Sequence, residues 1–402
     1  MLTKDFPVFD CDAHINDPHT IWSEYVEPKY RELVRASFWK DGEQSYVNGR
    51  TAVPAGTKSD VAKSISYNPA TVAGPGMGDK RILRRLQQMK LTPEQKDYLD
   101  HKGAEDGAAR LPDMDLMGID QVLVIPTMIV NSFIYMENVD AANALARAYN
   151  NWVYDYCKPS RERLYGAAIL PLQNPLYSVR EIERVRKMGF PVGLIRPSDA
   201  KGLYPNRINA AGVDSPGIRG YSMDAVYRAF EETGLVVGMH TLPITSVAGS
   251  LEAKATMDSP SQFLHRTREP DGRYVDIQTM GFVWEGATWL AQVLLSGFLD
   301  RYPRLKMAIF ETNATWALQI IENCDRLFKL YRNERKVSAK RLPSEAFAQQ
   351  CVIGFESDEK PVFRLWEQFQ DVGIWASDAY HHDGSGAWEA LNYMAKETGV
   401  VG

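Results

Sequence analysis

Short apolar runs recur along the chain, separated by stretches whose apolar positions return every three to four residues. The runs are Val8–Cys11, Gln121–Pro126, Leu164–Leu170, Val192–Ile195, Leu235–Met239, Lys306–Phe310, Cys351–Phe355 and Gly373–Ala376. Each has the length of a strand, and several are rich in Val and Ile, as strands buried on both faces are. The intervening pattern predicts helices. Asp140–Tyr156 is alanine-rich, Leu176–Met188 stops at Gly189, and the stretch from Ser222 stops at Gly234; both glycines suit a C-cap. Trp284–Leu299, Thr315–Leu330, Pro361–Phe369 and Ala387–Lys396 read the same way. Eight strands alternating with helices predict an α/β fold, a closed (β/α)8 TIM barrel, although a doubly wound open sheet shares much of the pattern.

Two stretches break this rhythm. Residues 28–112 separate the first two strands and include the Gly/Pro/Ser-rich Pro54–Gly78, the basic stretch Lys80–Lys90 and a capping-box start at Thr92–Gln95. Residues 244–283 form a second long polar excursion. Long excursions within a compact domain usually serve as lids or binding loops, so both are expected to cover the catalytic mouth. Neither has the composition of a flexible linker, and residues 1–402 are expected to form one elaborated domain. The 28–112 insertion could also supply an arm for a homo-oligomer.

Composition narrows the class. The chain has 402 residues, 45% hydrophobic and 24% charged, enough apolar material for a large core. A net charge of −5 argues against a general nucleic-acid or anionic-membrane binder. No apolar run approaches the roughly 20 residues of a membrane-spanning helix. The start, MLTKDFPVFDCDAH, lacks the apolar stretch of a signal peptide, which points to a soluble, cytoplasmic protein. Cys11, Cys157, Cys324 and Cys351 form no CxxC pair, so a thiolate zinc site and a disulfide framework are both disfavoured.

The candidate chemistry gathers where the strands end. Asp10, Asp12 and His14 form D-x-D-x-H on the first run, and residues two apart share a face of a strand, so Asp12 and His14 can converge on one ion. His240 follows the fifth run, Glu311 the sixth, Glu356 and Asp358 the seventh, and Asp378 the eighth. In a parallel barrel these ends open on one face, the face that carries active sites. Taken singly, each residue has an ordinary reading as a helix cap or a hydrogen-bonded histidine. Their shared position favours a site for a divalent metal held without sulfur. His381 and His382, after Asp378, could be ligands, general acids or parts of a polar turn. Arg196, closing the fourth run, suits a substrate carboxylate or a structural ion pair equally. Phe133, Tyr135, Trp284, Trp316 and Tyr380 lean towards an apolar or aromatic small-molecule substrate. P-loop, GxGxxG and GxSxG signatures are absent.

With VFDCDAH, MGIDQVLVIPT, LIRP, VGMH, LSGFLDRYPRLKMAIFE, FESDE and WASDAYHHDG spread over almost its full length, the sequence resembles the amidohydrolase superfamily. The similarity is to the branch that includes aminocarboxymuconate-semialdehyde decarboxylase and related metal-dependent hydrolases. The resemblance implies a distorted (β/α)8 barrel and metal ligands at Asp12, His14, His240 and Asp378. Three departures stand out. Asp12 replaces the first histidine of an H-x-H, Glu311 stands where decarboxylases of the branch carry a histidine, and His382 is added after His381. An extra carboxylate at 311 could bridge a second ion together with His382, and the oxygen-rich set favours Fe or Mn while admitting Zn. The leading expectation is therefore hydrolysis of a small organic acid, ester or amide by metal-activated water. In it Asp378 is ligand and proton acceptor, and Glu311 or His381 shuttles the second proton. A dinuclear nonheme-iron oxygenase and a nonoxidative decarboxylase are the alternatives.

Overall fold

A computed structural model describes residues 6–41, 44–47, 50–51, 103–127, 129, 133–134, 136–197, 223–241, 281–334 and 339–380. Eleven strands are found among them: β1 (Phe9–Ile15), β2 (Phe38–Asp41), β3 (Gln44–Val47), β4 (Arg50–Thr51), β5 (Gln121–Pro126), β6 (Leu164–Ile169), β7 (Val192–Ile195), β8 (Val236–His240), β9 (Met307–Phe310), β10 (Cys351–Glu356) and β11 (Gly373–Ala376). Strands β2, β3 and β4 form a small antiparallel sheet. The other eight form one sheet in the order β1-β5-β6-β7-β8-β9-β10-β11, every ladder in it parallel. Just beyond β11 the chain meets β1 again. Ala13 bridges Ala379 in parallel, His14 N donates to Ala379 O at 2.8 Å, and Asp378 N donates to Asp12 O at 2.9 Å. The sheet therefore curls into a (β/α)8 barrel whose seam joins the first strand to the segment after the last.

Each barrel strand coincides with one of the eight apolar runs to within a few residues. The largest difference is at β1, which runs on to Ile15 and so carries Asp12 and His14 within the strand. The interior is too tight for larger residues at some positions. A methyl group on Gly238 would stand 2.5 Å from Val192 Cγ1 and 2.8 Å from Phe310 Cε2.

The helices cover the sheet. The first described ones are α1 (Arg31–Ser37), α2 (Gly107–Met117), α3 (Val139–Tyr156), α4 (Pro175–Met188) and α5 (Asp224–Thr233). They are followed by α6 (Phe282–Leu295), α7 (Phe298–Arg301), α8 (Trp316–Leu330), α9 (Pro343–Gln350), α10 (Lys360–Arg364) and α11 (Trp366–Phe369). Asn138 caps α3 and Asn174 caps α4 through side-chain bonds to first-turn amides. Gly189 and Gly234 end α4 and α5 in the left-handed conformation, as the pattern predicts. The run Trp284–Leu299 is divided at Gly297, whose φ of +75° no helix can accommodate. Pro361–Phe369 divides at Leu365. The helix α2 contains Pro112, which weakened its signal in the sequence. The 52–102 part of the first insertion, residues 244–280 of the second and the expected helix Ala387–Lys396 lie outside the described residues. All four cysteines are buried, as expected of small core residues.

Candidate metal centre

Strand β1 is buried from Asp10 onward although three of its seven side chains are polar. Burying carboxylates and an imidazole without compensation costs several kcal/mol, roughly 2–7 per uncompensated polar group, so each must meet partners. A register shift between Asp10 and Ala13 interrupts the β1–β5 ladder, the kind of irregularity that re-aims side chains beside active sites.

Asp12, His14 and His240 come together. One ligand atom from each lies within 4.8 Å of the others, and all three residues are buried. The two imidazoles meet edge to face with ring centres 5.6 Å apart. His14 Nε2 is 3.7 Å from Asp12 Oδ1 and 3.2 Å from Asp378 Oδ1. His240 Nε2 is 3.9 Å from Asp12 Oδ2 and 3.1 Å from Glu311 Oε2. The ends of β1, β8, β9 and β11 thus bring five side chains into one buried cluster.

The other face of each ring sets its orientation. His240 Nδ1 lies 2.7 Å from Thr241 O, a carbonyl that can only accept, so Nδ1 carries the hydrogen. In the neutral ring Nε2 then presents a lone pair towards the oxygens of Asp12 and Glu311. His14 Nδ1 lies 3.1 Å from Thr127 Oγ1. Two imidazoles and three carboxylates thus face one another in a buried cluster. This donor set fits a divalent ion, and its nitrogen and oxygen ligands suit Mn, Fe or Zn.

Further buried groups hold these five in place. Asp10 accepts from Ser377 N and Ser377 Oγ, and from Asp12 N, tying the ligand-bearing ends of β1 and β11 together. Burial pushes the Asp10 carboxyl up to about 7, against the opposing pull of those hydrogen bonds and of the Arg110 charge. Arg110 is almost fully buried; it donates to His14 O and Gly103 O, and its guanidinium stands 4.3 Å from the Tyr380 ring centre. The Tyr380 hydroxyl donates to Asp113. Behind His240, Thr241 Oγ1 donates to the buried Glu285 at 2.8 Å. Thr127, Arg110, Thr241 and Glu285 escaped the sequence reading, whereas Asp10, inside D-x-D-x-H, and Tyr380 carried a signal there.

The backbone adds a mark of its own. Among the described residues, four other than glycine have φ in the left-handed region: Glu311 (51°), Asn313 (57°), Asp378 (50°) and Tyr380 (67°). They form the same i, i+2 pair after β9 and after β11. Such conformations cluster at functional sites, where the surroundings enforce them.

Of the remaining expected residues, Arg196 is buried at the C-terminal end of β7, on the face where the other strands deliver the triad. Glu356 closes β10, and Glu359 rather than Asp358 turns inward, accepting from Ala314 N and Glu356 N. His381 and His382 lie outside the described residues.

Known proteins share this architecture. The profile of a family described as amidohydrolase matches residues 9–386. An amidohydrolase from Mycobacterium avium subsp. paratuberculosis superposes with a TM-score of 0.69 at 19% identity, covering 99% of this chain and 96% of its own. The 5-carboxyvanillate decarboxylase of Novosphingobium aromaticivorans, a structure with bound manganese, gives 0.57 at 17%, covering 98% and 94%. The 2,6-dihydroxybenzoate decarboxylase from Rhizobium gives 0.53 at 15%, covering 96% and 92%. At these identities the likeness is one of fold. No protein of curated function matches the sequence.

Proposed function

This chain belongs to the amidohydrolase family, and on that premise we propose that it is a metal-dependent nonoxidative decarboxylase of a small hydroxyarene carboxylic acid. The observation that carries the reading is the buried convergence of Asp12, His14 and His240, flanked by the carboxylates of Asp378 and Glu311. Asp12, His14, His240 and Asp378 hold the ion, with manganese the first choice. A divalent cation bound there supplies positive charge for the substrate's carboxylate and neighbouring hydroxyl oxygens. Fold neighbours that act on carboxylated or hydroxylated benzoic acids support decarboxylation over hydrolysis.

The protein's own groups then have two tasks. Arg196 presents a guanidinium to an anionic oxygen of the substrate. Glu311 supplies a proton to the ring carbon that bears the carboxylate. Protonation makes that carbon tetrahedral; the bond to the carboxyl carbon then breaks, its electron pair restores the aromatic ring, and CO2 leaves while the new hydrogen stays. Burial favours the reaction because the substrate carboxylate loses its hydration on entering the site, whereas CO2 carries no charge to solvate.

The test is a panel of hydroxybenzoic acids offered to manganese-loaded and metal-stripped protein in deuterated water. The proposal predicts metal-dependent CO2 release and one deuterium at the vacated carbon. Metal-activated hydrolysis uses the same residues with Asp378 as base, and ester or amide cleavage without CO2 from any acid of the panel would establish that reading instead.

A further inference from the structure

Thr127 stands one residue beyond β5, buried, with its backbone amide held by Asp17 Oδ1 at 3.1 Å. Asp17 Oδ2 accepts from Ile129 N at 2.9 Å, so one buried carboxylate clasps this loop from the far end of β1. The hydroxyl of Thr127 meets two groups. Its Oγ1 is 2.8 Å from Ile15 O and 3.1 Å from His14 Nδ1.

A hydroxyl has one hydrogen to give, and a carbonyl oxygen has none. If Thr127 donates to Ile15 O, its lone pair accepts from His14 Nδ1–H, and both short contacts become hydrogen bonds. If it donates to a bare Nδ1 instead, the 2.8 Å contact becomes two oxygens facing each other with no hydrogen between them. Leaving a buried acceptor in that state incurs its full desolvation penalty, which selects the first arrangement. Nδ1 is then the protonated nitrogen of His14, and Nε2 presents its lone pair towards Asp12 and Asp378.

We propose that Thr127 is a positioning residue that fixes the tautomer and ring angle of His14, with Asp17 anchoring Thr127 in turn. The inference rests on Asp12, His14 and His240 being the metal site, and it is independent of which reaction that site performs. The geometry differs from the support given to His240, which leans on the carbonyl of Thr241. The His14 support is a side chain and can be removed without touching the backbone.

Thr127→Val keeps the shape and deletes the hydroxyl; Thr127→Ser keeps the hydroxyl. Manganese affinity, measured by titration calorimetry, should fall 10- to 100-fold in Thr127→Val, the usual cost of losing a partner behind a ligating histidine, and recover in Thr127→Ser. Equal affinity in the valine variant and the wild type overturns the proposal, as does a serine variant as weak as the valine one. Long-range 1H–15N spectra of metal-free wild type, labelled at histidine, read the tautomer directly. His14, assigned by its loss in His14→Gln, should carry its hydrogen on Nδ1, and an Nε2-protonated ring overturns the proposal even if the valine variant fails to fold. A wild type that binds no manganese while His14 shows the Nδ1 tautomer would refute the metal site and leave the Thr127 contact standing.

Discussion

Asp12→Ala and His240→Ala each remove one of the three ligand atoms that lie within 4.8 Å of one another. Both variants should remain folded by circular dichroism and lose bound manganese by elemental analysis; full metal content in both would exclude them as ligands. Glu311 poses a sharper question because it faces His240 without belonging to that triad. As a proton donor it should tolerate Glu311→Gln with one ion per chain retained, while turnover falls by about 100- to 10,000-fold, the range for losing a general acid–base group. A halving of metal content in that variant would instead mark Glu311 as a ligand to a second ion, the condition for the dinuclear iron alternative. At this scale the sequence was informative where side chains sit at strand ends. Asp12, His14, His240, Glu311 and Asp378 could all be placed by their distance from an apolar run. Thr127 and Glu285 could not, because their role depends on what their hydroxyl or carboxylate touches across the fold, and neither residue type marks a site by itself.

The short segments after β9 and β11 carry the backbone cost of the site. Glu311 and Asp378 adopt the left-handed conformation, which costs an ordinary residue about 1–2 kcal/mol relative to the right-handed one. Glycine escapes that cost. Glu311→Gly should therefore be more stable to urea than Glu311→Ala by about 1 kcal/mol, although at an ordinary helical position glycine is the worse of the pair by a similar amount. The reverse order at 311 would show that the backbone there is relaxed. Gly189 gives the complementary case: φ is +97° with open space where a Cβ would sit, so Gly189→Ala should lose about 1 kcal/mol from conformation alone. Strand and helix positions were legible because apolar period and C-cap glycines are local signals. The left-handed pairs were not, since nothing in Glu-Thr-Asn or Asp-Ala-Tyr demands positive φ, and the surrounding barrel imposes it.

Across the whole molecule, the candidate centre coincides with the barrel's closing seam. Asp12 and His14 come from the first strand, Asp378 follows the last, and the two segments are joined by Asp378 N to Asp12 O, His14 N to Ala379 O, and the Asp10–Ser377 clasp. An ion bound by both sides ties the beginning of the chain to its end. Manganese at about 100 times its Kd should accordingly stabilise the wild type by about 2.7 kcal/mol, seen as a raised Tm, and leave Asp12→Ala unmoved. An equal rise in both would place the stabilising ion elsewhere. Closure itself was implicit in eight alternating strands, but the seam was not, because it pairs residues more than 360 positions apart. The most direct test of the account is the anomalous scattering of a manganese-soaked crystal. A single strong peak bonded to Asp12, His14 and His240 is the predicted result, and a manganese peak that touches none of the three would contradict the account.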